Sequence, residues 1–518
     1  MFLRIGTARN FRRPVALGVA VALLAACGGS GDDASTAVKN AASETESEPI
    51  ANGLTPERDG FAFPNFGAGV TPEELDGADL VEMFGGSSDV CKGGVVDPCV
   101  PTAEAAVWAR MVNLARQSGH CEGFAVLAAS RFAAKEEKST IQLTQVPDVT
   151  NGIIRAFATQ YLPSVQAETA EWSKKSLSDK VEALRADLSD GKADYSIGVY
   201  TKEGGHAVLP YAIESRGDGG YRIAVYDSNW PGQKRFIDVD TNEESWTFSY
   251  SGRDPENDPD AWTGSPADFD LTSMEKRLNG SCPFCGSDTG VQKTILVLRS
   301  ADASWSVSTP DGELSPDTRD ASFGTARPVK SAEGGAPVDY VVVIDADKPA
   351  TFNLPAATRV TGVTPNAAVD FDAPSGAESG VVIEADAISS TDPAVVVTLA
   401  AGDLAAVANG AETKIVLGEE TITAEVTTVG GEQLVQTVDA ETPAVEIKTE
   451  GNPDLPTGIA YEVAAQTGSS ELTRTTVTTA GEKTTTVESA VLDTTAVAPK
   501  LPTVLQSTEV SPSLPPVD

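Results

Sequence analysis

Two residue types that are rare in this chain meet in the stretch Ser118-Gly119-His120-Cys121-Glu122-Gly123-Phe124. The 518 residues include only two histidines and six cysteines. An apolar pattern at helical spacing follows at once, at Phe124, Leu127, Ala128 and Phe132. The pattern places Cys121 in the first turn of a helix, where free N–H groups and a partial positive charge stabilise a thiolate. Such cysteines reach pKa values of roughly 3.5–7.5, against ~8.5 for a free thiol.

Helical patterns surround this stretch and give way to strand patterns near residue 195. The helical stripes cover residues 107–114, 152–161 and 168–188, and the strand patterns cover 195–201, 206–213 and 221–227. Helices followed by a run of strands joined by short turns are typical of an α+β domain with an antiparallel sheet. We place this domain at residues 61–290.

The composition changes beyond about residue 290, where cysteine and histidine disappear and Val, Thr, Ala and Gly dominate. Short β-type runs recur there, separated by Gly, Pro, Asp and Asn. This pattern predicts an all-β, sandwich-like C-terminal region. We divide it into β-rich modules at 291–400 and 401–497, followed by a Pro/Ser-rich tail at 498–518 that we expect to be disordered.

The N-terminus has the pattern of an export signal. Four arginines precede a short apolar run at 15–26, which ends in Leu24-Ala25-Ala26-Cys27. This ending resembles the lipobox of bacterial lipoproteins. The resemblance implies a signal peptide at 1–26, cleavage before Cys27, and a lipid on the Cys27 sulfur that anchors the protein to the membrane on its extracytoplasmic side. Residues 27–60 are then expected to be a disordered tether.

The formal net charge of -37 argues against nucleic acid as a partner. Apart from the lipid anchor, an acidic surface is also repelled by anionic lipids. With 41% hydrophobic residues, the chain can nevertheless build real cores.

Cysteine spacing singles out Cys121. Cys91 and Cys99 flank a Gly-rich loop, and Cys282 and Cys285 form a second local pair, so both pairs suit disulfides in an oxidising compartment. With Cys27 lipidated, Cys121 is the odd thiol. We expect no metal and no cofactor, because the acidic loop at 253–260 lacks the EF-hand spacing and Cys282–Cys285 has no second pair to complete a zinc site.

His206 is the best candidate to relay a proton for Cys121, since it opens a strand directly after a Gly-Gly turn. His120 is the alternative base, but a residue adjacent to the nucleophile at a helix start usually points elsewhere. If Arg216 pairs with Gly219 in the following hairpin, His206 lies opposite Asn229; a shift of two residues places it opposite Asp227. The sequence leaves both open as the group that orients His206.

The order of these residues resembles that of papain-like cysteine peptidases: a cysteine at a helix N-terminus, a histidine at a strand start, then Asp or Asn on the next strand. The stretch Ala224-Val225-Tyr226-Asp227-Ser228-Asn229-Trp230 is similar to that family's strand ending in Asn-Ser-Trp. The resemblance covers roughly residues 61–285. It implies that Asp227 orients His206, and that Gln117 and the backbone N–H of Cys121 form the oxyanion site.

We therefore expect a lipid-anchored cysteine hydrolase that cleaves an amide or peptide bond through Cys121, His206 and Asp227. The substrate could be a protein, a peptide or a peptidoglycan-type amide. If an amine replaces water, the same site is a transglutaminase-like acyl transferase. The alternative from another class is a non-catalytic surface binding or adhesion lipoprotein with an inert papain-like domain.

Overall fold

A computed structural model describes residues 48–285, 293–330, 338–427, 433–439, 444–448, 460–466, 471–480 and 484–493. The expected signal peptide, the expected lipidation site at Cys27 and the tail at 498–518 lie outside these ranges. Within them, no helix has the length and apolar character needed to cross a lipid bilayer.

The helices of the described chain all lie before residue 279. They are α1 (Pro56–Asp59), α2 (Gly77–Phe84), α3 (Ala103–Ala115), α4 (Cys121–Ala134), α5 (Pro147–Ala158), α6 (Pro163–Trp172), α7 (Leu177–Ser189) and α8 (Met274–Leu278).

Strands occur in two groups. The first group is β1 (Ile50–Ala51), β2 (Cys91–Val96), β3 (Cys99–Pro101), β4 (Tyr195–Tyr200), β5 (Gly205–Gly217), β6 (Gly220–Tyr226), β7 (Arg235–Asp240), β8 (Ser245–Phe248), β9 (Trp262–Gly264) and β10 (Phe269–Ser273). The second group is β11 (Lys293–Ser300), β12 (Ser306–Thr309), β13 (Gly312–Leu314), β14 (Asp320–Ala321), β15 (Gly324–Pro328), β16 (Val338–Asp345), β17 (Ala350–Leu354), β18 (Thr358–Val363), β19 (Ala368–Ala373), β20 (Ala377–Ile383), β21 (Ala387–Ser390), β22 (Val396–Ala401), β23 (Leu404–Ala408), β24 (Glu412–Leu417), β25 (Thr421–Thr427), β26 (Gln433–Asp439), β27 (Ala444–Lys448), β28 (Ala460–Gln466), β29 (Glu471–Ala480) and β30 (Thr484–Asp493).

An antiparallel sheet with the order β10-β4-β5-β6-β7-β8-β9 forms the centre of the first part, and β1 pairs with β5 beside this path. Helices cover both of its faces. Phe124 of α4 shares a core with Leu209 of β5, whereas Leu184 of α7 shares another with Val208. Adjacent residues of β5 thus face opposite layers, as the strand period requires. The predicted succession of helices and then antiparallel strands is confirmed.

The second part is mostly strands, as the sequence predicts. Its strands form an eleven-stranded and a nine-stranded antiparallel sheet within the described residues. One core joins the inner faces of these two sheets, for example Leu296 of β11 with Phe352 of β17. Both sheets continue across the boundary that the sequence suggests near residue 400, because β22 pairs with β23 and β21 with β24.

The eleven-stranded sheet also packs against the helices of the first part. Ile295 and Val297, which alternate with Leu296 along β11, share a core with Trp108 and Phe157. Burial on both faces explains why this strand is a continuous apolar run rather than an alternating one. The described residues accordingly cluster as one compact unit.

Two local features bear directly on the sequence predictions. The disulfides Cys91–Cys99 and Cys282–Cys285 are both present, and Cys121 is the free cysteine of the described chain. Part of the segment expected to be tether is structured, because residues 50–51 pair with β5, residues 56–59 form α1, and Leu54 is buried.

Candidate functional site

Cys121 is the first residue of α4, as the apolar pattern predicts. Gly119 ends the preceding 3-10 turn with φ 149°, a conformation that a side chain strongly disfavours. His120 then occupies the N-cap position with non-helical backbone angles. This turn brings the N-terminus of α4 against the start of β5.

The Cys121 side chain is completely buried, with 0% relative exposure. Its Sγ accepts a hydrogen bond from the backbone N–H of Ala207 at 3.2 Å. Burial raises the pKa of the Cys121 thiol well above its ordinary value, and the negative charges of Glu122 and Asp227 act in the same direction. The Ala207 N–H and the Lys330 ammonium oppose this effect.

His206 and Asp227 form a buried pair near Cys121. His206 Nε2 lies 2.8 Å from Asp227 Oδ1, and neither side chain has any exposed surface. Asp227 Oδ1 also accepts the backbone N–H of Asn229 at 2.9 Å. His206 Nδ1 is buried and makes no hydrogen bond within the described part of the chain. The His206 ring and the Cys121 side chain share Tyr250 as a neighbour.

The register of the hairpin explains how Asp227 reaches His206. Leu209 pairs with Tyr226 and Pro210 with Val225. Continued, this register would place Asn229 opposite His206, but β6 ends at Tyr226. Asp227 therefore lies just beyond the strand, and its carboxylate bonds both the His206 ring and the Asn229 backbone.

Tyr250 covers this region from the loop between β8 and β9. It packs against the buried Cys121 and Ala207, and its ring meets the His206 ring edge-on at 5.7 Å between centroids. Trp262 stacks on Tyr250 at 4.7 Å. Tyr250 itself is partly exposed, whereas Cys121 and Ala207 are buried. No sequence motif marks Tyr250 as a residue of this site.

His120 points away from the cysteine, into the core. Its Nδ1 lies 2.5 Å from the carbonyl oxygen of Phe66, and its ring packs against Phe66 and Phe157. Burial lowers the pKa of His120 to about 4. Its backbone N–H donates to Asn65 Oδ1. These contacts attach the segment around residue 65 to the start of α4.

Gln117, the residue considered for the oxyanion site, lies on the 3-10 turn Arg116–Ser118, and its side chain is exposed. The Cys121 side chain, in contrast, is completely buried. The N–H of Cys121 remains suited to bind an oxyanion, because the first N–H groups of a helix have no intrahelical acceptor.

Glu122 lies in a buried ionic cluster behind Cys121 that no sequence motif marks. Its carboxylate forms ion pairs with Arg277 and, at 3.6 Å, with the Lys330 ammonium. Lys330 Nζ also lies 3.2 Å from Asp270 Oδ1, and Tyr200 donates to the same carboxylate at 2.5 Å. These opposite charges lower the pKa of Glu122 although burial alone would raise it.

A cleft of about 720 Å³ lies near the C-terminal end of α4 and includes Arg58, Arg131 and Lys192. Cys121, at the opposite end of the helix, does not line it. Among the described residues, no three His, Cys, Asp or Glu side chains are grouped as a metal site would need.

No protein-family model, no curated sequence and no solved structure matches the chain.

Proposed function

We propose that this protein is a cysteine hydrolase of papain-like fold that cleaves an amide or peptide bond. The single observation that carries the proposal is the buried His206–Asp227 pair, which lies beside the unpaired thiol of Cys121. A nucleophile, a base and a group that orients the base are what covalent acyl transfer requires. His206 Nδ1, which Asp227 does not hold, is the ring nitrogen available to take the thiol proton.

The reaction follows from this arrangement. The proton of the Cys121 thiol passes to His206 Nδ1, and the thiolate attacks the substrate carbonyl carbon. The C–N bond breaks as His206 returns the proton to the leaving amine, which produces a thioester and a free amine. Water, deprotonated by His206, then attacks the thioester. The products are a carboxylic acid and the regenerated thiol.

Asp227 keeps the His206 ring in one orientation and stabilises the imidazolium that forms at each proton transfer. The N–H of Cys121 at the start of α4 is suited to bind the developing oxyanion. Since Tyr250 covers the sulfur, a substrate carbonyl reaches Cys121 only after the Tyr250 ring moves aside. The partly exposed position of Tyr250 makes this a local movement.

The test is covalent labelling of Cys121 by an electrophilic thiol probe at neutral pH, read out by intact mass. We expect one added probe in the wild-type protein, none in Cys121→Ala, and a large loss of rate in His206→Ala. A wild-type thiol that stays unlabelled while the protein is folded would overturn the hydrolase.

The second candidate is a non-catalytic binding lipoprotein with an inert papain-like domain. The complete burial of Cys121 and the upward shift of its pKa favour this candidate. It predicts labelling only under denaturing conditions. If a reactive Cys121 instead transfers its acyl group to an added amine in preference to water, the protein is a transglutaminase-like acyl transferase.

The proposed location is the extracytoplasmic side of a bacterial membrane, with a lipid on Cys27. The support is the lipobox-like sequence Leu24-Ala25-Ala26-Cys27. Membrane fractionation tests it: we expect the wild-type protein with the membrane and Cys27→Ala released from it. Equal retention of both proteins would contradict the anchor.

A further inference from the structure

The segment that follows β15 contacts both the residue before His206 and the residue after Cys121. Lys330 forms an isolated parallel bridge with Gly205, the residue before His206. A Cβ on Gly205 would lie 2.8 Å from the carbonyl oxygens of both Pro328 and Val329, so the two backbones approach too closely for a side chain. The start of β5, and with it His206, is therefore seated directly on this segment.

The Lys330 side chain continues from that bridge toward Cys121. It is 5% exposed, and its ammonium lies 3.6 Å from Oε2 of Glu122, the residue after Cys121. The same ammonium lies 3.2 Å from Asp270 Oδ1. A buried lysine loses its hydration, and the two neighbouring carboxylates compensate this loss by their opposite charge.

We infer that Lys330 is a positioning residue of the thiol site, through which the β-rich C-terminal region completes that site. Its backbone seats the strand that carries His206, and its ammonium holds the carboxylate next to Cys121. This inference rests on the proposed function and deepens it. The β-rich region then belongs to the working enzyme and is more than an appended binding module.

The charges around Cys121 determine the expected effects. Glu122 on α4 and Asp227 beyond β6 disfavour the thiolate, whereas Lys330 favours it. Tyr161 and Tyr250 also face this region. Arg277 pairs with Glu122, and Asp270, which accepts a hydrogen bond from Tyr200, pairs with Lys330. Loss of the Lys330 charge also leaves more of the Glu122 charge uncompensated. Lys330→Met should therefore make the thiolate harder to form, and Glu122→Gln should make it easier.

The experiment measures the rate of Cys121 alkylation by iodoacetamide between pH 5 and 10 in the full-length protein. For Lys330→Met we expect the pH profile to move up by about one unit, which is a tenfold loss of rate on its rising limb. Lys330→Arg should restore most of the rate, and Glu122→Gln should move the profile down.

Lys202→Met is the matched control. Lys202 also connects the two parts of the chain, through Asp317 at 2.5 Å, but both members of this ion pair are highly exposed. We expect its profile to coincide with that of the wild type. If Lys330→Met alone does not fold, the double variant Lys330→Met/Glu122→Gln still allows the test, because it removes one positive and one negative buried charge together.

The possible outcomes distinguish the proposed hydrolase activity from the positioning role of Lys330. An unreactive wild-type thiol overturns the hydrolase and the positioning role together. A reactive wild-type thiol with an unchanged profile in Lys330→Met overturns the positioning role alone. A double variant that reacts as slowly as Lys330→Met would also overturn the positioning role, because Lys330 could then not act through the charge of Glu122. A profile that returns to the wild-type position in the double variant supports it.

Discussion

His206 and Asp227 are joined by a 2.8 Å contact between Nε2 and Oδ1, and both side chains are fully buried. A buried pair of this kind fixes which nitrogen of the ring bears the hydrogen bond to the carboxylate. The other nitrogen, Nδ1, is left without a partner among the described residues. An unsatisfied buried ring nitrogen costs free energy, which is the kind of cost that functional sites retain.

Removal of the Asp227 charge should slow the reaction of Cys121. The Asp227 charge itself disfavours the thiolate, but it also stabilises the His206 imidazolium that takes the thiol proton, and we expect the second effect to dominate. Alkylation at pH 7 should therefore fall about 100-fold in Asp227→Asn, within the range of general acid–base effects. The measurement is the pseudo-first-order rate of iodoacetamide labelling. Asp148→Asn, at an exposed position on α5, should leave the rate unchanged. A wild-type rate in Asp227→Asn would remove Asp227 from the mechanism.

Tyr250 should control access to the sulfur. Tyr250→Ala removes its contacts with Trp262 and His206, and an aromatic pair is worth about 0.5–1.5 kcal/mol beyond its buried area. Because 1.4 kcal/mol corresponds to a factor of ten, we expect labelling of Cys121 to accelerate about tenfold. Tyr221→Ala, a partly exposed tyrosine on β6, is the control. If labelling is no faster in Tyr250→Ala than in the control, the covering residue lies elsewhere.

The local parts of this site are readable in the sequence, and the long-range parts are not. Gly119 and the stripe from Phe124 predict the start of α4, which the structure confirms. Spacings of 8 and 3 residues predict the two disulfides, which it also confirms. Such features depend on neighbours in the chain, so the sequence contains their cause directly.

The ionic cluster depends instead on pairs brought together by tertiary packing. Glu122 and Arg277 are 155 positions apart, and Lys330 arrives from the β-rich region. No periodicity connects such residues, although a charged residue in the first turn of a buried helix does indicate that partners exist. The prediction of a disordered tether is wrong at 50–59 for the same reason. The two-residue strand β1 is fixed by its pairing with β5 and not by its own sequence pattern.

The Cys91–Cys99 disulfide should contribute measurably to stability. It closes a short loop, so the double variant Cys91→Ala/Cys99→Ala should lose about 2.5 kcal/mol of unfolding free energy in the chain-entropy model. Urea denaturation measures this loss. The Cys282–Cys285 disulfide closes a shorter loop, so the double variant Cys282→Ala/Cys285→Ala should lose less, about 2 kcal/mol. A larger loss in the second variant would contradict the loop-length argument.

His120 should make the folded protein sensitive to acid. Its pKa is about 4 in the folded state, because burial disfavours the charged ring, whereas an unfolded histidine has a pKa of ~6.5. Between these values the unfolded chain binds a proton that the folded chain does not. The contribution is therefore fully present above pH ~6.5 and is lost as the pH falls toward 4, by about 3 kcal/mol in total.

The variant His120→Gln isolates this contribution, since the remaining titrating groups are common to both proteins. Urea denaturation at several pH values between 7 and 4 gives the difference in unfolding free energy between wild type and variant. We expect the wild-type advantage to shrink steadily below pH 6.5. Parallel curves would mean that the His120 ring, despite its contacts with Phe66 and Phe157, accepts a proton in the folded state as easily as in the unfolded chain.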